Sequence, residues 1–236
     1  MGCAVCDEAV RATIREGNTP QIIDGAFIPQ NPSNGTYTEG LCSVCQARGR
    51  TRALATLLTR SAPLIRSNAP TLVASADEHQ LPVYRRHFTN LTHVSLHGDF
   101  GDPSCIVGVD LRDLSRFPDR RFTYFFAVCV LDYIPEALQV FREVHRVLKR
   151  GGSAIFNLMP ARVGDFDQPV SVRNRNALKH EAYSPTLEDG TTGIPDCRFD
   201  RRSLLSWMAE AGFKADHFFI KDHLSDLKFG FFTGRA

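Results

Sequence analysis

Four cysteines near the N-terminus have the spacing of a metal site. Cys3 and Cys6 form one CxxC pair, and Cys42 and Cys45 form a second. Each short turn brings two thiolates to one metal, so two such pairs predict a tetrahedral four-cysteine zinc site. The alternatives are a pair of disulfides or unpaired thiols. Because thiolates would fill all four positions, the predicted site is structural and not catalytic.

The arm between the two cysteine pairs is typical of a zinc ribbon. It carries turn residues at Gly17-Asn18 and at Asn31–Gly35, between short apolar stretches. Such a segment buries too little surface to fold alone, so metal binding would supply its folding energy.

A second group of candidate residues follows three apolar stretches that read as strands. Ser75, Ala76 and Asp77 come at the end of the first, Asp99 follows the second, and Asp110-Leu111 follows the third. In an open α/β sheet, ligands bind beside the carboxyl ends of the strands. We therefore expect these residues at one binding edge. The first turn has no glycine, unlike the phosphate-binding turns of most nucleotide-binding α/β folds.

A strand–helix–strand unit must position these residues. The apolar run from Phe122 to Leu131 predicts a strand, and Ala154 to Met159 predicts the next. Between them, a helix is predicted with Lys149 and Arg150 in its last turn and Gly151-Gly152 as its stop. Its apolar positions are Ala137, Leu138, Phe141, Val144 and Leu148. This pattern is a βαβ unit of a buried parallel sheet.

Size and composition fit one large α/β domain with a small extra module. The chain has 236 residues, 43% of them hydrophobic and 23% charged. The turn-rich stretch from Ser61 to Pro70 predicts a boundary between a cysteine module with its connecting helix (1–61) and the α/β domain (71–236). We expect a long polar connection at 160–200 to cover the substrate.

The charge and the apolar pattern exclude several classes of function. A net charge of +2 is too small to indicate nucleic acid or an anionic membrane as partner. No apolar run is long enough to cross a bilayer, and the first residues do not read as a signal peptide. We therefore expect a cytoplasmic protein, and the sequence does not indicate its oligomeric state.

Several motifs resemble the class I S-adenosylmethionine (SAM) dependent methyltransferases. The segment Arg146–Gly152 is similar to their "RVLKPGG", with Arg150 in place of proline. Leu96, Asp99, Asp102 and Pro103 match the spacing of "YLTADLYDP". The second cysteine pair and its arginines resemble "CPVCGSRERHR" of a methyltransferase type 11-like subgroup. The resemblance implies a Rossmann-like, mostly parallel seven-stranded sheet flanked by helices, with a four-cysteine zinc-ribbon-like module.

The resemblance also implies how SAM would be held. Asp99 would bind the ribose hydroxyls, and Asp110 or Leu111 would contact the adenine edge. Ser75 and Ala76 would let the cofactor approach closely, with Asp77 near its ammonium group. Cys129 and Val130 would face the crevice. An arginine of the second cysteine segment could clamp the methionyl carboxylate; Arg50 and Arg52 are too close in sequence to share a helical face, and we expect Arg50 in this role.

The predicted crevice departs from the family at the fourth strand. Cys129 and Tyr133 stand where the family's "NHVLEH" has histidines. At the exit of the second strand, Asp102 is expected only to form a turn. Tyr133 could contact the sulfonium through its ring. In the 160–200 connection, Tyr183 and Glu188 are further catalytic candidates, although ordinary loop residues are equally compatible with the pattern.

These observations favour a SAM-dependent methyltransferase that acts on a small molecule, with SAM and structural zinc as cofactors. One alternative keeps SAM but consumes it by cyclisation or aminocarboxypropyl transfer. Another is a zinc-ribbon interaction protein whose methyltransferase domain is degenerate.

Overall fold

A computed structural model describes residues 3–6, 21–23, 26–28, 42, 44–158, 171–175, 194–199, 201–224 and 228–236. The strands of this part are β1 (Gln21–Ile23), β2 (Ala26–Ile28), β3 (Thr71–Ala74), β4 (Leu91–Ser95), β5 (Ile106–Val107), β6 (Phe122–Val128), β7 (Leu148–Asn157), β8 (Ser171–Arg175), β9 (Ile194–Arg198), β10 (Lys214–Lys221) and β11 (Lys228–Arg235). The helices are α1 (Gly49–Ser61), α2 (Gln80–His87), α3 (Ala137–Val147) and α4 (Arg201–Glu210), with short 3-10 turns at Ala62–Leu64 and Leu131–Tyr133.

A seven-stranded sheet with the order β5-β4-β3-β6-β7-β11-β10 forms the centre of the molecule. Strands β5, β4, β3, β6 and β7 are parallel, whereas β11 runs antiparallel to both β7 and β10. This is the mostly parallel, Rossmann-like methyltransferase sheet that the sequence predicts, with its antiparallel final pair. The carboxyl ends of β4, β3, β6 and β7 therefore meet at one edge.

Both faces of the sheet are buried because apolar side chains point alternately to each side. Leu72, Ala74, Phe125 and Ala127 belong to one core cluster, and Val73, Phe126 and Val128 belong to the other. Helices α3 and α4 cover the first face with residues such as Val144 and Leu204. Helices α1 and α2 cover the second with residues such as Leu54 and Leu81.

The end of α3 differs from the prediction. The helix stops at Val147, and β7 already begins at Leu148, which pairs with Phe122. The ladder shifts register before Tyr124 pairs with Ser153, so Gly151 and Gly152 lie in an irregular part of the strand. The glycines therefore do not form the helix stop that the sequence predicts, and β7 starts six residues before the predicted Ala154.

The N-terminal cysteine segment packs onto the α1 and α2 side of the sheet. Cys3, Val5, Cys42 and Ala47 belong to the same apolar cluster as Val73 and Val128. In the arm between the cysteine pairs, β1 and β2 form an antiparallel hairpin. The predicted boundary at Ser61–Pro70 stays a prediction, and apolar packing is continuous across it. No helix in the described ranges is long and apolar enough to span a membrane.

Candidate functional site

The turn after β3 lies at the centre of the candidate site. Ser75 has a left-handed φ of 50°, and its N–H donates to the carbonyl of Val94 in β4 (2.7 Å). The Asp77 carboxylate accepts hydrogen bonds from the N–H groups of His79 and Gln80 (3.0 and 2.8 Å), so it caps the start of α2. A serine thus holds a conformation that usually favours glycine, at a cost of about 1 kcal/mol.

The turn after the neighbouring strand β6 has the same backbone feature. Cys129 has a φ of 54°, and its N–H donates to the carbonyl of Asn157 at the end of β7 (2.7 Å). Its thiol lies 3.4 Å from Asn157 Oδ1, and Asn157 Nδ2 donates to the Gly230 carbonyl (2.7 Å). Left-handed residues directly after two adjacent strands turn the chain away from the sheet edge. They border the crevice in which ligands of such sheets bind.

Tyr84 of α2 is buried and interacts electrostatically with both turns. Its ring is fully buried and packs 5.2 Å from that of Phe126. Burial raises the pKa of its phenol well above the usual range, and the nearby Asp77 and Cys129 raise it further. Sequence reasoning missed this residue because its only signal is the apolar side of a helix.

A buried polar chain supports the β3 turn. The N–H of Ala76 lies 3.1 Å from His93 Nε2, and His93 Nδ1 lies 2.9 Å from Asp102 Oδ2. The Arg85 guanidinium lies 3.0 Å from Asp102 Oδ1, which also accepts from the Ser104 N–H and hydroxyl. Asp102 does form the predicted turn. It is nevertheless buried and charged, a role that sequence reasoning did not assign to it.

The other predicted acidic residues lie in the exits of the outer strands. Asp99 is exposed, four residues beyond the end of β4, and accepts a hydrogen bond from the Gly101 N–H (3.0 Å). Asp110 is half-buried and pairs with Arg112 (2.7 Å). Burial opposes its ionisation, but the Arg112 hydrogen bonds outweigh it and lower the Asp110 pKa. Leu111 beside it is buried. Their contacts with ribose and adenine stay predictions.

The two arginines at the start of α1 have different surroundings. Arg52 is the buried one, and its guanidinium donates hydrogen bonds to both carboxylate oxygens of Asp222 (2.9 and 2.6 Å). It also donates to the Ala47 carbonyl, which accepts the Cys42 N–H as well. The carboxylate that Arg52 clamps therefore belongs to the protein. Arg50 is half-buried, and its contact with the methionyl carboxylate stays a prediction.

The last group of predicted residues lies around the turn after β6. Val130 is half-buried, and Tyr133 is 36% exposed at the end of the Leu131–Tyr133 turn. Strand β9, which belongs to the predicted 160–200 cover, pairs with β8 and runs beside this turn. Part of the long connection thus reaches the crevice edge. Tyr183 and Glu188 lie outside the described residues.

The four cysteines form one compact cluster. The Sγ atoms of Cys3 and Cys45 are 3.8 Å apart, those of Cys6 and Cys42 are 3.9 Å apart, and all four lie within 4.8 Å of one another. These separations exceed a disulfide bond of about 2.05 Å. The two shorter ones, 3.8 and 3.9 Å, match the edge of roughly 3.8 Å expected for four sulfurs placed 2.3 Å from a tetrahedral zinc ion.

The thiols of Cys45 and Cys42 have pKa values shifted in opposite directions. Burial raises the pKa of Cys45 to about 12, with added repulsion from its neighbours. The Cys42 thiol is also buried, but the N–H groups of Cys45 and Val44 lower its pKa to about 7. At neutral pH the Cys45 thiol therefore stays protonated, whereas the Cys42 thiol can ionise. A divalent cation at their centre would stabilise four thiolates.

Comparison with known proteins shows what the central part of the chain resembles. Residues 70–156 match the family model described as a methyltransferase domain. No curated protein matches the sequence. Solved structures of the same fold include the 1,6-didemethyltoxoflavin-N1-methyltransferase of Burkholderia thailandensis, bound to 1,6-didemethyltoxoflavin and S-adenosylhomocysteine. Its TM-score is 0.55 at 15% identity, over 80% of this chain and 78% of that one.

Two further solved structures show the range of this fold. The sugar N-methyltransferase KedS8 from Streptoalloteichus superposes with a TM-score of 0.52 at 15% identity, covering 79% of this chain and 87% of that one. The [4+2]-cyclase SpnF has a TM-score of 0.51 at 16% identity, over 78% and 81%. Identities this low establish the fold alone. Residues 70–156 are similar to a methyltransferase domain, and the predicted class I methyltransferase fold is confirmed.

Proposed function

We propose that this protein is a SAM-dependent methyltransferase that acts on a small molecule. One observation carries the proposal: a methyltransferase-type sheet brings the glycine-free Ser75–Asp77 turn and the Cys129 turn together at its carboxyl edge. A ligand without phosphate groups does not need the glycine-rich anion cradle of other α/β folds. SAM has this property, and it carries an ammonium group that suits the Asp77 carboxylate.

The chain's own residues would bind and orient the cofactor. Asp77 would face the ammonium group, Asp99 the ribose, and Asp110 or Leu111 the adenine edge. Arg50 would face the methionyl carboxylate. SAM, when bound, supplies a methyl group already activated by its sulfonium, so positioning contributes most of the rate acceleration.

Tyr133 is our candidate on the acceptor side. It is partly exposed and lies in the turn beside β9, where an acceptor would enter between the sheet edge and the 160–200 connection. The Cys129 thiol points instead to Asn157, which fits a supporting role at the crevice wall better than proton removal. Tyr183 and Glu188 stay candidates in the connection.

The small-molecule substrate class is supported by two relatives in fold. One has 1,6-didemethyltoxoflavin bound, and the other is a sugar N-methyltransferase. The net charge of +2 argues against a nucleic acid as substrate. We propose that the 160–200 connection selects the acceptor. It lies outside residues 70–156, which match the family model, and its strand β9 reaches the crevice edge.

We further propose that Cys3, Cys6, Cys42 and Cys45 bind a structural zinc ion. The sulfur spacing fits its tetrahedron, and all four ligands come from the protein. A cytosolic setting, in which thiols stay reduced, suits such a site.

Calorimetric titration with SAM and S-adenosylhomocysteine tests the proposal. We expect micromolar binding of both, weakened by Asp99→Ala. Failure of the wild-type protein to bind either would contradict the proposal and favour the interaction-module alternative.

Product analysis separates the two SAM-dependent functions. The protein is incubated with methyl-labelled SAM, first alone and then with a low-mass metabolite extract. We expect label transfer only with the extract, into low-mass products. Breakdown of SAM without the extract would instead support cyclisation or aminocarboxypropyl transfer, and label confined to macromolecules would contradict a small-molecule acceptor.

A further inference from the structure

A histidine is buried directly behind the turn that the proposed function assigns to the cofactor. The His93 side chain has no exposed surface, and the Asp102 side chain beside it is only 2% exposed. Neither residue belongs to the predicted cofactor contacts. We propose that His93, oriented by Asp102, is a positioning residue that holds the Ser75–Asp77 turn in its cofactor-binding shape. This inference rests on the proposed function.

The hydrogen bonds determine the state of the His93 ring. The backbone N–H of Ala76 only donates, so Nε2, 3.1 Å away, must accept and carry no proton. The single ring proton then lies on Nδ1 and is donated to Asp102 Oδ2 at 2.9 Å. The carboxylate thus selects the tautomer that can hold the turn, by the same logic with which carboxylates orient histidines at metal and catalytic sites.

The turn requires such support because its backbone is not intrinsically favoured. Ser75 is left-handed without being glycine, and the surrounding structure must hold it there. The next N–H, of Ala76, is buried and points away from the sheet ladder to His93. Without an acceptor this donor would be left unsatisfied, and the turn would rearrange to reach one. A glycine would adopt this conformation without support. Because the turn has no glycine, the hydrogen bond to His93 holds it in place.

The same pair connects two parts of the proposed cofactor site. Asp102 lies on the exit of β4, and its N–H donates to the Asp99 carbonyl (2.9 Å). Asp99 is the predicted ribose ligand, whereas the Ser75–Asp77 turn is predicted to face the methionyl end. The path from Ala76 through His93 and Asp102 to Asp99 consequently fixes the two segments relative to each other. Ala76, His93 and Asp102 are buried along this path, whereas Asp99 at its end is exposed.

Two substitutions separate the acceptor function from packing. Glutamine at position 93 can place its oxygen near the Nε2 position and accept from Ala76, whereas the shorter asparagine reaches only toward Asp102. We expect His93→Asn to weaken SAM binding about tenfold, the usual effect of leaving one buried donor unsatisfied, and to raise KM far more than it lowers kcat. We expect His93→Gln to bind within about threefold of wild type.

The matched control is Arg85→Gln, which removes only the half-exposed outer partner of Asp102. It should leave SAM affinity within about twofold, as for a solvent-screened pair. Equal SAM affinity of wild type and His93→Asn would overturn the positioning role while leaving the proposed function intact. No SAM binding by the wild-type protein would overturn both.

A measurement on the wild-type protein covers the case in which His93→Asn does not fold. Nitrogen-15 NMR of the imidazole should show protonated Nδ1 and unprotonated Nε2. Titration with S-adenosylhomocysteine should then shift both His93 Nε2 and the Ala76 amide. A protonated Nε2, or binding that leaves both signals unmoved, would overturn the inference.

Discussion

The Asp77 carboxylate combines a structural contact with a proposed binding contact. It caps α2 through the N–H groups of His79 and Gln80, and it would also face the SAM ammonium group. Asparagine caps helices as well as aspartate does but carries no charge. The substitution Asp77→Asn therefore separates the two contributions, because it removes the charge and keeps the cap.

We expect Asp77→Asn to keep the unfolding free energy and to weaken SAM binding about tenfold, because a charge-assisted contact is lost. Asp77→Ala should bind as weakly and also lose about 1 kcal/mol of stability with the cap. Calorimetry and chemical denaturation measure the two effects. Tight SAM binding by Asp77→Asn would contradict the ammonium contact.

Asp102 should make part of the stability depend on acid pH. Burial opposes its ionisation, but hydrogen bonds from Ser104, His93 and Arg85 outweigh this and hold its pKa well below the usual range. A carboxyl whose pKa is lowered on folding stabilises the protein above its unfolded pKa of about 3.9. That contribution is lost as the pH falls from there toward the folded value.

The pH prediction is checked by denaturation of wild type and Asp102→Asn. The difference in unfolding free energy should be constant above a pH of about 5 and shrink below about 4. A difference that stays constant to the lowest pH at which both fold would show that Asp102 is not held ionised.

Individual roles were less predictable from sequence than the residues' positions at strand ends. The acidic positions after the strands were foreseeable because strand patterns are local. The partners of Asp102 and Arg52 were not, since Arg52 meets Asp222 across 170 residues of sequence. Tyr84 and Asn157 were missed because a helix periodicity or a strand end does not reveal which groups a fold brings together.

At the level of elements, glycine is needed at Gly151 and at Gly152 of β7 for two different structural reasons. Gly151 has a φ of 73° with open space around it. A Cβ on Gly152 would lie 2.8 Å from the Lys149 carbonyl oxygen and 2.9 Å from that of Thr123. Both obstacles are backbone atoms, so they cannot move aside as a side chain would. The motif that first indicated the fold therefore marks a strand irregularity.

We expect Gly152→Ala to destabilise the protein by more than about 2 kcal/mol, as overpacking against fixed atoms does. Gly151→Asn should cost less than about 1 kcal/mol, because asparagine tolerates the left-handed region. Thermal and chemical unfolding measure both. Equal effects of the two substitutions would show that Gly152 is not confined as described.

The buried pair Arg52–Asp222 joins α1 to the end of β10. Asp222→Ala would leave the guanidinium buried without its partner, and we expect a loss of about 3–5 kcal/mol. Arg52→Met combined with Asp222→Leu should recover much of this, because no charge is then buried.

The exposed pair Arg142–Glu210 is the matched control, at a similar distance of 2.8 Å but half exposed on both sides. Glu210→Ala should cost less than about 1 kcal/mol. Denaturant titration measures all variants. An Asp222→Ala cost no larger than that of Glu210→Ala would mean that the Arg52 pair is not buried as described.

At the scale of the whole molecule, the sequence predicted the sheet and the cysteine cluster but not that the two pack against each other. Strand patterns and CxxC spacings are local, so both could be read directly. That Cys3 and Cys42 join the apolar cluster of Val73 and Val128 depends on how distant surfaces pack, which no local pattern encodes. The joint cluster predicts that the module and the sheet unfold together.

Removal of the proposed zinc should therefore destabilise the entire protein and not only its N-terminus. A strong chelator should release one equivalent of zinc, measured by a colorimetric assay. A loss of about 3 kcal/mol would lower Tm by roughly 6–12 °C in one cooperative transition. Cys42→Ser should reproduce the effect, whereas Cys105→Ser, whose thiol lies beside the Gly98 carbonyl outside the cluster, should not. Metal release that leaves the main transition unchanged would mean that the cysteine module folds apart from the α/β domain.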